Sequence, residues 1–127
     1  MEKDFSNIIM NSCDGDGSGL FTSISFTRHT FVFTDMSRLL ITEHLSRGRI
    51  EIYFYDWVDE HGADILKFHS EPHKDDRRYQ TSTEPYHIHP PADAKLTNMT
   101  RYPNVYHQEL PAIMEHIFFS LVAAKKI

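Results

Sequence analysis

The chain has almost no cysteine. Cys13 stands alone among 127 residues, so no internal disulfide can form, and a reducing, cytoplasmic setting is expected. A single thiol reads either as a small hydrophobe or as a nucleophile, and nothing around Cys13 decides between them. Long apolar runs are also missing. No stretch approaches the roughly 20 apolar residues that a membrane-crossing helix needs, so no membrane partner is expected. The first residues, MEKDFSNIIMNSCDGDGSG, lack the basic start, apolar run and small-residue site of a secretory signal. The Walker, dinucleotide-binding, zinc-protease and C-x-x-C templates all fail to match. So does the G-x-S-x-G elbow. No cofactor is therefore expected.

Positive charge is scarce too. Thirteen basic residues face eighteen acidic ones, a formal net charge of -5. That balance argues against a broadly basic nucleic-acid surface. Residues 72–101 are the exception, with five basic against four acidic residues and three histidines besides. They suit a phosphate or an acidic partner, or form an ordinary mixed-charge loop.

What is present fits one α+β domain over residues 1–127: an antiparallel meander backed by a C-terminal amphipathic helix. Residues 3–12 place Phe5, Ile8 and Ile9 on one face of a short helix. Asp14-Gly15-Asp16-Gly17-Ser18-Gly19 starts like a calcium loop, yet its twelfth position is Ser25 and strand-like sequence follows, so a turn is the better reading. Residues 20–34 read as one or two strands, with a hairpin around Arg28-His29. Residues 38–45 and 49–58 form the strongest hairpin, turned by Ser46-Arg47-Gly48. One face of its second strand carries Ile50, Ile52 and Phe54, the other Tyr53, Tyr55 and Trp57. After the turn at Asp59-Glu60-His61-Gly62, residues 65–70 form another strand, and short connections make the neighbours antiparallel. Prolines punctuate residues 71–103, where 86–89 form a short edge strand ended by Pro90. Leu110, Ile113, Met114, Ile117, Phe118, Leu121 and Val122 recur at helical spacing. Pro111 suits that helix's first turn, and Lys125 and Lys126 its negative end.

The nine histidines carry the chemistry. His69, His73, His87 and His89 fall within one 21-residue window. On a strand, His87 and His89 share a face. If the 65–70 strand lies beside 86–89, three or four imidazoles converge. Such a group acts as general acid and base toward a ribose 2′-hydroxyl and its leaving oxygen. His87 and His89 are then the catalytic pair, with Lys95 and Arg101 neutralising phosphate charge. Alternatively, His69, His73, His87 and His89 hold a transition metal, with Asp75 or Asp76 adding an oxygen. A third reading leaves them structural.

Several segments in order resemble a known family. They are Tyr53-Phe54-Tyr55-Asp56, Asp59-Glu60-His61-Gly62, Ile65-Leu66-Lys67-Phe68, Glu71-Pro72-His73 and Pro85-Tyr86-His87-Ile88-His89, followed by Pro90-Pro91 and a terminal helix. The set, over roughly residues 50–122, resembles the TumE-like toxins of prokaryotic toxin–antitoxin loci. The chain departs from the family pattern at His69-Ser70-Glu71 and at Lys74, where a second histidine is usual. His87 and His89 match best. The resemblance implies a growth-inhibiting toxin with a cognate antitoxin partner. RNA is the expected target, ribonuclease action the expected chemistry, and a homodimer is compatible. The competing expectation is a non-enzymatic interaction module that docks a partner through an exposed Tyr53, Tyr55 and Trp57 face.

Overall fold

The computed structural model describes residues 2–70, 85–89, 102–104 and 107–124. A 3₁₀ turn at Glu2–Phe5 leads into strands β1 (Ile9–Asp14), β2 (Phe26–Phe33), β3 (Arg38–Ser46), β4 (Arg49–Val58), β5 (Asp64–His69), β6 (His87–His89) and β7 (Tyr102–Pro103). Helix α1 (Leu110–Ala123) ends the described chain. The strands lie side by side in sequence order, each antiparallel to the next, in one seven-stranded sheet. The expected α+β meander with its terminal helix is therefore the fold.

Local chemistry sets the corners. The β3–β4 turn places Arg47 at φ 54° and Gly48 at φ 75°, two successive left-handed residues that match the twist of a tight hairpin. In the β4–β5 turn, the Asp59 carboxylate accepts the His61 and Ala63 amides, each at 2.9 Å. Those backbone donors hold the Asp59 carboxyl below its usual range.

Side-chain alternation divides the sheet into two faces. The inner face carries Phe31, Phe33, Leu39, Ile41, Tyr53, Tyr55, Trp57 and Phe68, which share one core with Ile113, Met114, Ile117 and Leu121 of α1. Burying those four helix residues contributes roughly 1.5–3 kcal/mol each, an upper estimate. Leu110 and Phe118 are partly buried at the core's margin. Val122, expected on the same face, is 46% exposed, because the buried stripe runs 113, 114, 117, 121 and turns away before 122. Lys125 and Lys126 lie outside the described residues.

Two further expectations are corrected. Residues 3–12 do not form a helix: only Glu2–Phe5 is helical, and Ile9–Asp14 pairs with β2. Phe5 and Ile8 still face the core, but Ile9 onward gains a ladder with a distant strand that local spacing cannot register. There is no hairpin at Arg28-His29 either, since both residues lie within the continuous strand Phe26–Phe33. Thr and Ser between the phenylalanines interrupt the apolar pattern without breaking the pleat.

The calcium-like loop is closed by the chain's own atoms. Asp16 Oδ1 accepts the Ser18 amide at 3.0 Å, and Asp16 Oδ2 accepts the Thr42 hydroxyl at 2.5 Å. Arg28 Nε lies 3.8 Å from Asp16 Oδ2. The segment is a turn that leads toward β2. Among the described residues, no helix is long and apolar enough to cross a membrane.

Candidate functional site: an imidazole cluster on the outer sheet face

The register of β4, β5 and β6 builds the site. Phe54 faces His69, and His69 faces His87. Asp56 faces Lys67, and Lys67 faces His89. Residues 54, 56, 67, 69, 87 and 89 therefore share the outer face, opposite the helix. Three imidazoles meet there: one ring nitrogen from each of His69, His87 and His89 lies within 4.8 Å of the others. Ring centroids are 4.6 Å apart for His69 and His89, 4.8 Å for His87 and His89, and 5.8 Å for His69 and His87. The expected convergence of β5 with the 86–89 segment is what the sheet delivers.

Two neighbours fix ring orientation. His69 Nε2 lies 2.8 Å from Asp56 Oδ1. A carboxylate only accepts, so Nε2 carries the proton and the Nδ1 lone pair of the neutral ring is the basic one. His87 Nδ1 lies 2.9 Å from the Pro85 carbonyl oxygen. By the same argument Nδ1–H donates, and Nε2 is the basic nitrogen of neutral His87. Phe54 packs edge-on against His69 at 4.8 Å. Burial grades the three rings: His87 is 0% exposed and His69 8%, while His89 is half-buried.

Asp56 and Lys67 are the residues that sequence reasoning missed. The available signal was parity: Asp56 is an acid on the face of β4 opposite Tyr55 and Trp57, and Lys67 is two residues from His69. Lys67 also pairs with Asp64 at 3.3 Å. Three nominated residues, His73, Lys95 and Arg101, lie outside the described residues, as do Asp75 and Asp76. A second pair, His107 and His116 of α1, lies tilted with ring centroids 5.0 Å apart. Both half-buried rings pack near Phe68 at the margin of the core.

The aromatic face proposed for partner docking is not exposed. Tyr53, Tyr55 and Trp57 are 5%, 1% and 6% exposed. Tyr55 donates to Glu43, and Trp57 Nε1 donates to Ser37 Oγ at 3.0 Å. The protein's own helix uses that face, so Tyr53, Tyr55 and Trp57 are not the exposed docking anchors expected from sequence.

The family model for Toxin TumE matches residues 16–118. The chain belongs to the TumE toxin family. That match spans the sheet from the Asp16 loop through the imidazole cluster and most of α1. Membership makes the chain a toxin-family protein of a toxin–antitoxin system and implies a cognate antitoxin. No curated protein and no solved structure matches the chain significantly.

Proposed function

We propose that this TumE-family chain arrests growth by cleaving RNA at its imidazole cluster. The observation that supports the reading is the meeting of His69, His87 and His89, with Asp56 bonded behind His69. A carboxylate that orients an imidazole and stabilises its protonated form is the arrangement of a general base. His69 takes the proton of a ribose 2′-hydroxyl through Nδ1. The 2′-oxygen attacks phosphorus, the bond to the 5′-oxygen breaks, and protonated His89 supplies the leaving oxygen with a proton. The products are a 2′,3′-cyclic phosphate and a free 5′-hydroxyl. His87 has no carboxylate behind it and is tied to the Pro85 carbonyl, so the base role goes to His69, which Asp56 supports, and His87 positions the other two rings. This shifts the base role from His87, nominated with His89 from sequence, to His69. Lys67, in register with His89, opposes the charge that develops on phosphate. Lys95 and Arg101 retain the same proposed role.

The test uses purified wild-type chain and a single-stranded oligoribonucleotide. Cleavage that leaves cyclic phosphate ends, and that is lost in His89→Gln and with a 2′-deoxy nucleotide at the cut, is the expected result. Cleavage that survives the 2′-deoxy substitution overturns this mechanism.

A metal centre is the second reading, and the two fixed tautomers favour it. Metal-bound histidines ordinarily donate their other N–H to a carboxylate or a backbone carbonyl, as His69 and His87 do. Zinc–nitrogen bonds of about 2.0–2.1 Å place ligand nitrogens about 3.3 Å apart, so modest side-chain rotation closes the present 4.8 Å. Elemental analysis of untagged protein separates the two readings. About one transition-metal ion per chain supports the metal centre, and none supports acid–base chemistry by the imidazoles alone.

A further inference from the structure

A second site lies on the other face of the sheet. A cavity of about 570 Å³ opens where the start of α1 meets β4 and the Pro85–Tyr86 segment. Its walls carry Glu43, Glu51 and Glu109 together with Tyr53, Tyr55 and Tyr86. No Lys, Arg or His is among the described residues lining it. Tyr53 and Tyr55 stack at 4.2 Å with planes 11° apart, and Tyr86 tilts against Tyr53 at 6.2 Å. The Tyr53 hydroxyl is buried and has no hydrogen-bond partner among the described residues. A buried phenol oxygen without a partner is costly unless something fills the position.

We infer that this cavity takes cationic side chains, arginine or lysine, from a basic segment of the cognate antitoxin. Glu51 and Glu109 supply most of the charge, since the third carboxylate, Glu43, is buried and already accepts the Tyr55 hydroxyl. Glu51 shares part of its charge with His44, 3.5 Å away. The positive end of α1 opposes a cation by about half an elementary charge, which Glu51 and Glu109 outweigh. The half-buried Tyr86 ring adds cation–π attraction, and the Tyr53 oxygen accepts a guanidinium or ammonium N–H. An acidic peptide or a phosphate meets like charge here and is excluded by the same balance. Glu109 stands at the N-cap of α1 without a side-chain cap bond, so its carboxylate is not consumed by the helix. The identity of the occupant as antitoxin rests on the family membership; the preference for a cation rests on the cavity.

The experiment titrates the full chain with the dipeptide Ac-Arg-Arg-NH₂, followed by tyrosine ring resonances, with Ac-Glu-Glu-NH₂ as the control. Saturable binding of the arginine peptide alone is expected. Glu51→Gln/Glu109→Gln weakens it by up to about fivefold per exposed charge removed, and Tyr53→Phe weakens it without disturbing the fold. No saturable binding, unchanged binding by both variants, or equal binding of the acidic peptide overturns the inference. The purified antitoxin is then titrated against the same proteins. Weaker binding to the double variant is expected. Equal binding to wild type and double variant contradicts the antitoxin as occupant and leaves the toxin reading intact.

Discussion

Ser37→Ala removes one oxygen from the middle of a buried chain of hydrogen bonds. Trp57 Nε1–H donates to Ser37 Oγ at 3.0 Å, and Ser37 Oγ donates to Asp35 Oδ1 at 2.5 Å. Ser37 is 2% and Trp57 6% exposed, so the indole N–H loses its acceptor where water has little access. A buried donor left unsatisfied costs about 1–3 kcal/mol. Asp35 is half-buried and recovers a water partner, so its share is small. With a urea slope of about 2 kcal/mol/M, a loss of about 2 kcal/mol lowers the unfolding midpoint by about 1 M. The lone tryptophan makes its own emission the assay. The slope itself stays constant, because the surface exposed on unfolding does not change. Introduced into a Trp57→Phe background and read by circular dichroism, Ser37→Ala costs less, since the donor is already gone. An unchanged midpoint, or an equal cost in both backgrounds, contradicts a stabilising Trp57–Ser37 hydrogen bond.

Other outcomes follow from the same structure. Ile117 is 0% exposed at the centre of the helix–sheet contact, so Ile117→Ala costs about 2–5 kcal/mol by urea unfolding. Burial, and then the neighbouring His107, hold the His116 imidazole below its ordinary value. The unfolded chain therefore takes up this proton first on acidification. The stability is complete above about pH 6.5 and falls as pH drops below it; His116→Gln flattens that slope in unfolding curves between pH 7 and 5. Asp56→Asn keeps the fold but loses the carboxylate that orients His69, and lowers RNA cleavage about 10²–10⁴-fold. Unchanged activity at equal folded protein contradicts a role for Asp56.

The parts of the fold visible in sequence were those governed by local rules. Gly48 marked the β3–β4 turn, Asp59 and Gly62 the next corner, and the 113–117–121 repeat the helix. The two faces of β4 were readable from alternation. Which face the helix would cover was not, because tyrosine and tryptophan suit an interface and a core equally well. Strand β1 was hidden for a different reason: its six residues owe their conformation to pairing with β2, across the Asp16 loop, and not to their own propensities. The same distinction governs the site. His87 and His89 announced a shared face through their spacing. His69 joined them only through strand register, and Asp56 entered through a neighbour two strands from β6. A carboxylate in an aromatic-rich strand was visible all along. Its bond to an imidazole thirteen residues away was not.

If the outer-face cluster carries toxicity, removing its two working imidazoles abolishes growth arrest. Growth is followed after induced expression of the wild-type chain and of His69→Ala/His89→Ala, in a host lacking the antitoxin. Equal levels of folded protein are verified by shielded Trp57 emission. Arrest by the wild type and normal growth with the double variant are expected. Arrest that persists in the folded double variant contradicts a role for the cluster in toxicity.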